Sequence, residues 1–117
     1  MNILVIDDER DIVQAIQDIL MSQGHQVWTA ANGKLGLEQL DQAPEGGFRL
    51  ILLDLMMPVM DGERFLEALS ERKEAKTASI IVMTASHRIP TSVIPLQILR
   101  KPLELDHLLN LIEEARA

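Results

Sequence analysis

Four short apolar runs, Ile3 to Ile6, Leu50 to Leu53, Ile80 to Met83 and Ile98-Leu99, alternate with amphipathic stretches, and nothing else in the chain constrains its fold so tightly. Short aliphatic runs bounded by polar residues suit fully buried strands. Strands alternating with helical periodicity indicate βα units feeding a mostly parallel sheet. The first intervening stretch carries Ile12, Ile16, Ile19 and Leu20 at i, i+4, i+7 and i+8, with Gly24 placed to stop the helix. His25 to Ala30 is less apolar and reads as an edge strand with a partly buried Trp28. Asn32-Gly33 turns into a weak helix through Leu37 and Leu40, broken by Pro44, Gly46 and Gly47. A third helix, around Glu63 to Arg72, turns Phe65, Leu66 and Leu69 inward after an Asp61-Gly62 turn and cap. The last helix packs Leu105, Leu108, Leu109 and Ile112 on the sheet and leaves Asp106, Asn110, Glu113 and Glu114 wet. Between Thr84 and Lys101, Pro90 and Pro95 interrupt any pattern, so a helix there must be short.

Each strand run is followed by a polar exception: Asp7 and Asp8, Asp54, Thr84, and Lys101. Alone, the Asp pair reads as a helix cap, Lys101 as a solvated surface lysine and Thr84 as a strand-end residue. Together they fall at the same end of successive strands, and the carboxyl edge of an open α/β sheet is where sites are built. Three carboxylates, a hydroxyl and an ammonium in one crevice suit a Mg²⁺-dependent phosphoryl-accepting site. Mg²⁺ takes about six oxygen ligands and keeps some waters. Three carboxylates in one pocket repel one another, so a metal-free pocket should hold at least one carboxyl group with a raised pKa. Asp54 ends the most apolar strand, which makes it the best candidate for a nucleophile that forms an aspartyl phosphate.

The 117 residues fit one domain, 1–117, and the 47% hydrophobic content fits a packed core. A formal charge of −7, still acidic without the three aspartates, and no basic cluster argue against direct contact with nucleic acid. No apolar stretch approaches the ~18 residues of a membrane span. The start of the chain lacks a leader pattern, so the expected location is cytoplasmic. Absence of cysteine excludes disulfides, thiolate zinc sites and cysteine nucleophiles. His25, His87 and His107 lack metal-ligand spacing and are expected at surface or edge positions, while Met56, Met57 and Met60 read as fillers around a loop.

Ile6-Asp7-Asp8-Glu9, then Leu53-Asp54-Leu55-Met56-Met57-Pro58-Val59-Met60-Asp61-Gly62, then Met83-Thr84-Ala85, then Lys101-Pro102-Leu103 resemble the receiver domain of two-component response regulators. The resemblance covers essentially the whole chain. It implies a flavodoxin-like doubly wound (βα)5 three-layer sandwich with sheet order 2-1-3-4-5, here a stand-alone receiver with no effector domain. It further implies Asp54 as phosphoacceptor, with Asp8 and Asp54 contacting Mg²⁺ (or Mn²⁺) directly. Asp7 would act largely through water, and the Met56 backbone carbonyl would complete the protein ligands. Lys101 would pair with the phosphate, aimed inward by a cis Lys101-Pro102 bond, and Thr84 would hydrogen-bond a phosphoryl oxygen. The implied partners are a sensor histidine kinase or histidine phosphotransfer protein and a downstream protein target, in a two-component phosphorelay that uses the chain as a monomer or weak dimer and not as a turnover enzyme.

The chain departs from that family in places. Ile98 stands three residues before Lys101, where the family places an aromatic switch residue, so coupling through Thr84, position 98 and Pro102 must use other groups or be weak. Sixteen residues, 85 to 100, separate Thr84 from Lys101, which is short for the family and implies a shortened or irregular fourth helix. Met56 and Ser86 resemble positions that modulate phosphate lifetime. Two other readings compete. A degenerate or phosphorylation-independent interaction module is opposed by the complete acidic set. A Mg²⁺-dependent phosphohydrolase would need an acid where Met56 stands.

Overall fold

The computed structural model describes residues 1–116. Five parallel strands run in the order β2-β1-β3-β4-β5, the arrangement the resemblance implies. They are β1 (Asn2–Ile6), β2 (Gln26–Ala30), β3 (Leu50–Asp54), β4 (Ser79–Thr84) and β5 (Gln97–Arg100). Among the described residues five helical segments accompany them: α1 (Arg10–Ser22), α2 (Gly33–Asp41), α3 (Gly62–Leu69), α4 (Glu74–Thr77) and, after the last strand, α5 (Leu105–Arg116). Every residue of the central strand β3 is buried, as its unbroken Leu-Ile-Leu-Leu run requires of a strand covered on both faces.

Strand side chains alternate between faces, and the two faces build two separate cores. On one side Leu4, Ile6, Ile51, Leu53 and Val82 meet Leu40 of α2 and Phe65, Leu66 and Leu69 of α3. On the other, Ile3, Val5, Leu50, Leu52, Ile81 and Met83 meet Ile16 and Leu20 of α1 and Leu108 and Ile112 of α5. Trp28 is half-buried and meets Phe48 edge to face at 5.4 Å, as expected for its strand position.

Local chemistry sets the helix ends. Asn32 and Asp61 cap α2 and α3 by accepting from the backbone N–H of Leu35 and Arg64 at 2.9 and 3.0 Å. Gly24, at φ 89°, takes the left-handed turn that ends α1. Gly62 matters for another reason, because a Cβ there would lie 2.5 Å from the Asp54 carbonyl oxygen. Its absence lets α3 start directly beneath the end of β3.

Three placements differ from expectation. The connection from Thr84 to Gln97 shortens past a truncated helix to none at all, while the one-turn α4 forms before β4 instead. Two prolines in twelve residues leave no uninterrupted stretch for a stable turn of helix. Ile94 and Leu96 pack there against the α2/α3-side core in its stead, beside Ile98 of β5. Leu105 is 46% exposed, because it begins α5 before that helix has reached the sheet. His25 is buried, and its Nδ1 lies 3.1 Å from the Met1 amino group. Among the described residues no helix is long and apolar enough to cross a membrane.

Candidate functional site

The carboxyl ends of β1, β3, β4 and β5 converge as the sequence pattern requires. Asp7 follows Ile6 and is pinned there, its N–H donating to the Ala30 carbonyl at 3.0 Å. Asp54 closes β3 and is 4% exposed. Thr84 closes β4, is buried, and its Oγ1 accepts from the Ser86 N–H at 3.0 Å. Lys101 follows β5, where its backbone N–H donates to the Thr84 carbonyl at 2.8 Å. The Lys101-Pro102 bond is cis, in line with the expectation.

Lys101 is the hub of the pocket. Its Nζ donates to Asp7 Oδ2 at 3.0 Å and to Glu9 Oε1 at 2.9 Å, with Asp54 Oδ1 at 3.5 Å. Burial works to lower the pKa of this ammonium, but the hydrogen bonds to Glu9 and Asp7 and the charges of Asp7 and Asp54 outweigh it. Lys101 is therefore held above its ordinary range and stays charged. Burial, reinforced by the Asp7 charge, pushes the Asp54 carboxyl up from 3.8 to about 6. Lys101 and the Met56 backbone amide pull it back only in part. A raised carboxyl is expected in this pocket, but burial raises it first and the charge of one neighbouring acid, Asp7, second.

The donor set fits a hard divalent cation. Oxygens of Asp7, Glu9 and Asp54 lie within 4.8 Å of one another, in a pocket whose cationic centre is an ammonium. Oxygen-only ligands at that spacing suit Mg²⁺ or Mn²⁺, and there is no sulfur or imidazole to favour a softer metal.

The expected metal residues do not all meet. Asp7 and Asp54 do, but Asp8 is exposed and stands outside the group, and Glu9 has come into it. The turn after Ile6 explains the exchange. Asp7 Oδ1 accepts from the Glu9 N–H at 2.9 Å, which tightens the chain and carries residue 9 back over the pocket while residue 8 faces solvent. Sequence reasoning gave Glu9 no role, although a third consecutive acid at the end of a strand was the available signal. The acidic turn does not cap α1 either, since Glu9 sits at the N-cap position without a side-chain capping bond. The Met56 side chain is 74% exposed and Ile98 is half-buried against the core. Pro102 lies at the surface beside Leu103.

Comparison with known proteins is consistent with this geometry. A family model described as the response regulator receiver domain matches residues 3–113. The chain is 37% identical over 119 residues to the uncharacterized transcriptional regulatory protein YkoG of Bacillus subtilis, covering 97% of this chain and 50% of that protein. It is 34% identical over 114 residues to the transcriptional regulatory protein DltR of Streptococcus agalactiae, covering 93% and 49%. The chain thus spans about half the length of these relatives. Among solved structures, the response regulator TrrA of Thermotoga maritima in complex with Mg²⁺ and BeF is similar, with TM-score 0.83, 25% identity and 97% of each chain covered. The chemotaxis protein CheY4 of Vibrio cholerae is similar too, with TM-score 0.82, 28% identity and 97% of each chain covered.

Proposed function

Since the chain belongs to the response regulator receiver domain family, we propose that it accepts a phosphoryl group on Asp54 and signals through the change this makes at its surface. The observation that carries the proposal is the pairing of a buried carboxylate, Asp54, with Lys101, whose charge the pocket maintains. An Asp54 carboxylate oxygen attacks the phosphorus of a phosphohistidine, the P–N bond breaks, and the histidine leaves as an aspartyl phosphate forms. The donor is a sensor histidine kinase or a histidine phosphotransfer protein of a two-component system.

Catalysis of this kind consists mostly of positioning and electrostatic stabilisation. Lys101 supplies fixed positive charge toward the equatorial oxygens, and Thr84 offers its hydroxyl proton to one of them. Asp7, Glu9 and Asp54, with Asp8 at the rim and the Met56 carbonyl, supply the oxygens that would hold a divalent cation. Mg²⁺, when bound, neutralises charge on the transferring group. Thr84, Ile98 and Pro102 carry the change to the β4–β5 side, toward a downstream protein partner met as a monomer or weak dimer. Turnover as a phosphohydrolase is disfavoured, because position 56 presents an outward thioether and no acid.

Incubation with Mg²⁺ and acetyl phosphate tests the proposal. The intact mass should rise by one phosphoryl group in the native chain and remain unchanged in Asp54→Asn. Labelling that survives the substitution would overturn the assignment of the acceptor.

A further inference from the structure

Glu9 is tied to the site at two points: its N–H fixes Asp7 Oδ1, and its Oε1 accepts from Lys101 Nζ at 2.9 Å. The two carboxylates that hold Lys101 in this way differ in freedom. The Asp7 side chain is fully buried and hydrogen-bonded, whereas that of Glu9 is 55% exposed. The Glu9 side chain makes no capping bond to α1, although its backbone carbonyl accepts from the Val13 N–H at 3.0 Å. Asp54 meanwhile has the longest of the three contacts to Lys101, at 3.5 Å.

We propose that Glu9 is a positioning residue that shares Lys101 with the phosphoacceptor in the resting state, draws it away from closer contact and competes with the phosphoryl group for it, an inference that rests on Asp54 being the acceptor. A phosphoryl group on Asp54 brings at least one additional negative charge and three acceptor oxygens, and Lys101 turns toward it. Of its two holders, Glu9 is the one that lets go, since its half-exposed carboxylate passes into water while that of Asp7 is fully buried. Glu9 therefore sets how much of the Lys101 interaction must be surrendered before the phosphorylated state gains it.

Beryllofluoride, an analogue of the phosphoryl group on a carboxylate, provides the test. Its affinity is measured at saturating Mg²⁺ for the native chain, Glu9→Gln and Glu9→Asp, with Mg²⁺ affinity determined separately by calorimetry so that the two equilibria are not confused. Glu9→Gln removes the charge, and Glu9→Asp keeps the charge but withdraws the oxygen by one methylene. Both should bind beryllofluoride about threefold to fivefold more tightly, the range expected for releasing a half-exposed ion pair. Tightening in Glu9→Gln alone would mean that simple charge relief suffices and would overturn the proposal. Unchanged affinity in both variants would overturn it as well. A native chain that fails to bind beryllofluoride with Mg²⁺ would remove the phosphoacceptor reading itself, whereas native binding with unaltered variants removes only the role of Glu9.

Discussion

Replacing Asp54 by Asn should stabilise the metal-free protein, although it destroys the proposed acceptor. The Asp54 carboxyl is raised from 3.8 to about 6, first by burial and then by the neighbouring Asp7 charge. At ~1.4 kcal/mol for each tenfold change in proton affinity, carrying the ionised group costs roughly 3 kcal/mol. The folded value lies above the unfolded one, so the folded chain binds this proton more tightly. The associated stability is fully present below pH 3.8 and is lost as pH rises through about 6. Asn keeps the shape without the charge, and Lys101 retains Asp7 and Glu9 as partners. Urea denaturation followed by Trp28 fluorescence in a chelating buffer should show Asp54→Asn more stable by about 2 to 3 kcal/mol at pH 8. The gain should shrink below pH 6 and vanish near pH 4. Mg²⁺ should stabilise the native chain through linkage and erase much of the difference. A variant that is less stable than the native chain at pH 8, or a gain independent of pH, would refute the reasoning.

Val59 has φ 69° and is 72% exposed, a left-handed conformation that β-branched residues resist. Val59→Gly should therefore raise stability by about 1 kcal/mol after the entropy of the added glycine is counted, and a lower melting temperature would contradict this. Phe65 is fully buried between α3 and the sheet, so Phe65→Ala should cost about 3 to 5 kcal/mol in a denaturant titration. Gly62→Ala would press a methyl against the Asp54 carbonyl oxygen and Leu55 Cα. It should cost about 1 to 3 kcal/mol and slow labelling by acetyl phosphate, because the backbone that must shift carries Asp54.

The sheet and most of the site were legible because both depend on strong local signals. The short Leu50 to Leu53 run suits a strand covered on two faces, and once four such runs lie parallel, their terminal polar residues must share an edge. Lys101, which is 94 residues from Asp7 in the chain, reaches it for that reason alone. The position of Asp8 outside the acidic group and the presence of Glu9 within it have a different origin. A strand pattern specifies inside and outside up to its last residue, but the turn after Ile6 is set by one hydrogen bond from the Glu9 N–H to the Asp7 carboxylate, and no periodicity encodes it. Leu105 likewise fits the apolar spacing of α5, yet it lies at a helix start where spacing no longer determines burial.

Chain length accounts for the helix-free segment between β4 and β5. A parallel crossover needs about a dozen residues or more, and the twelve between Thr84 and Gln97 meet that minimum with none to spare for a packed helix. The side chains that a helix would have supplied are replaced by Ile94 and Leu96, which cover the sheet from irregular backbone beside Ile98 of β5. This segment is moored by side chains instead of by a helical face. Thr84 Oγ1 accepts from Ser86, Ser86 Oγ accepts from Arg88 at 3.0 Å, and the Arg88 guanidinium pairs with Glu63 on α3. Arg100 on β5 donates to the Ser86 carbonyl. Displacement of the Thr84 hydroxyl would thus reach α3 and β5 through two residues and a few hydrogen bonds, a route that does not require an aromatic ring at position 98.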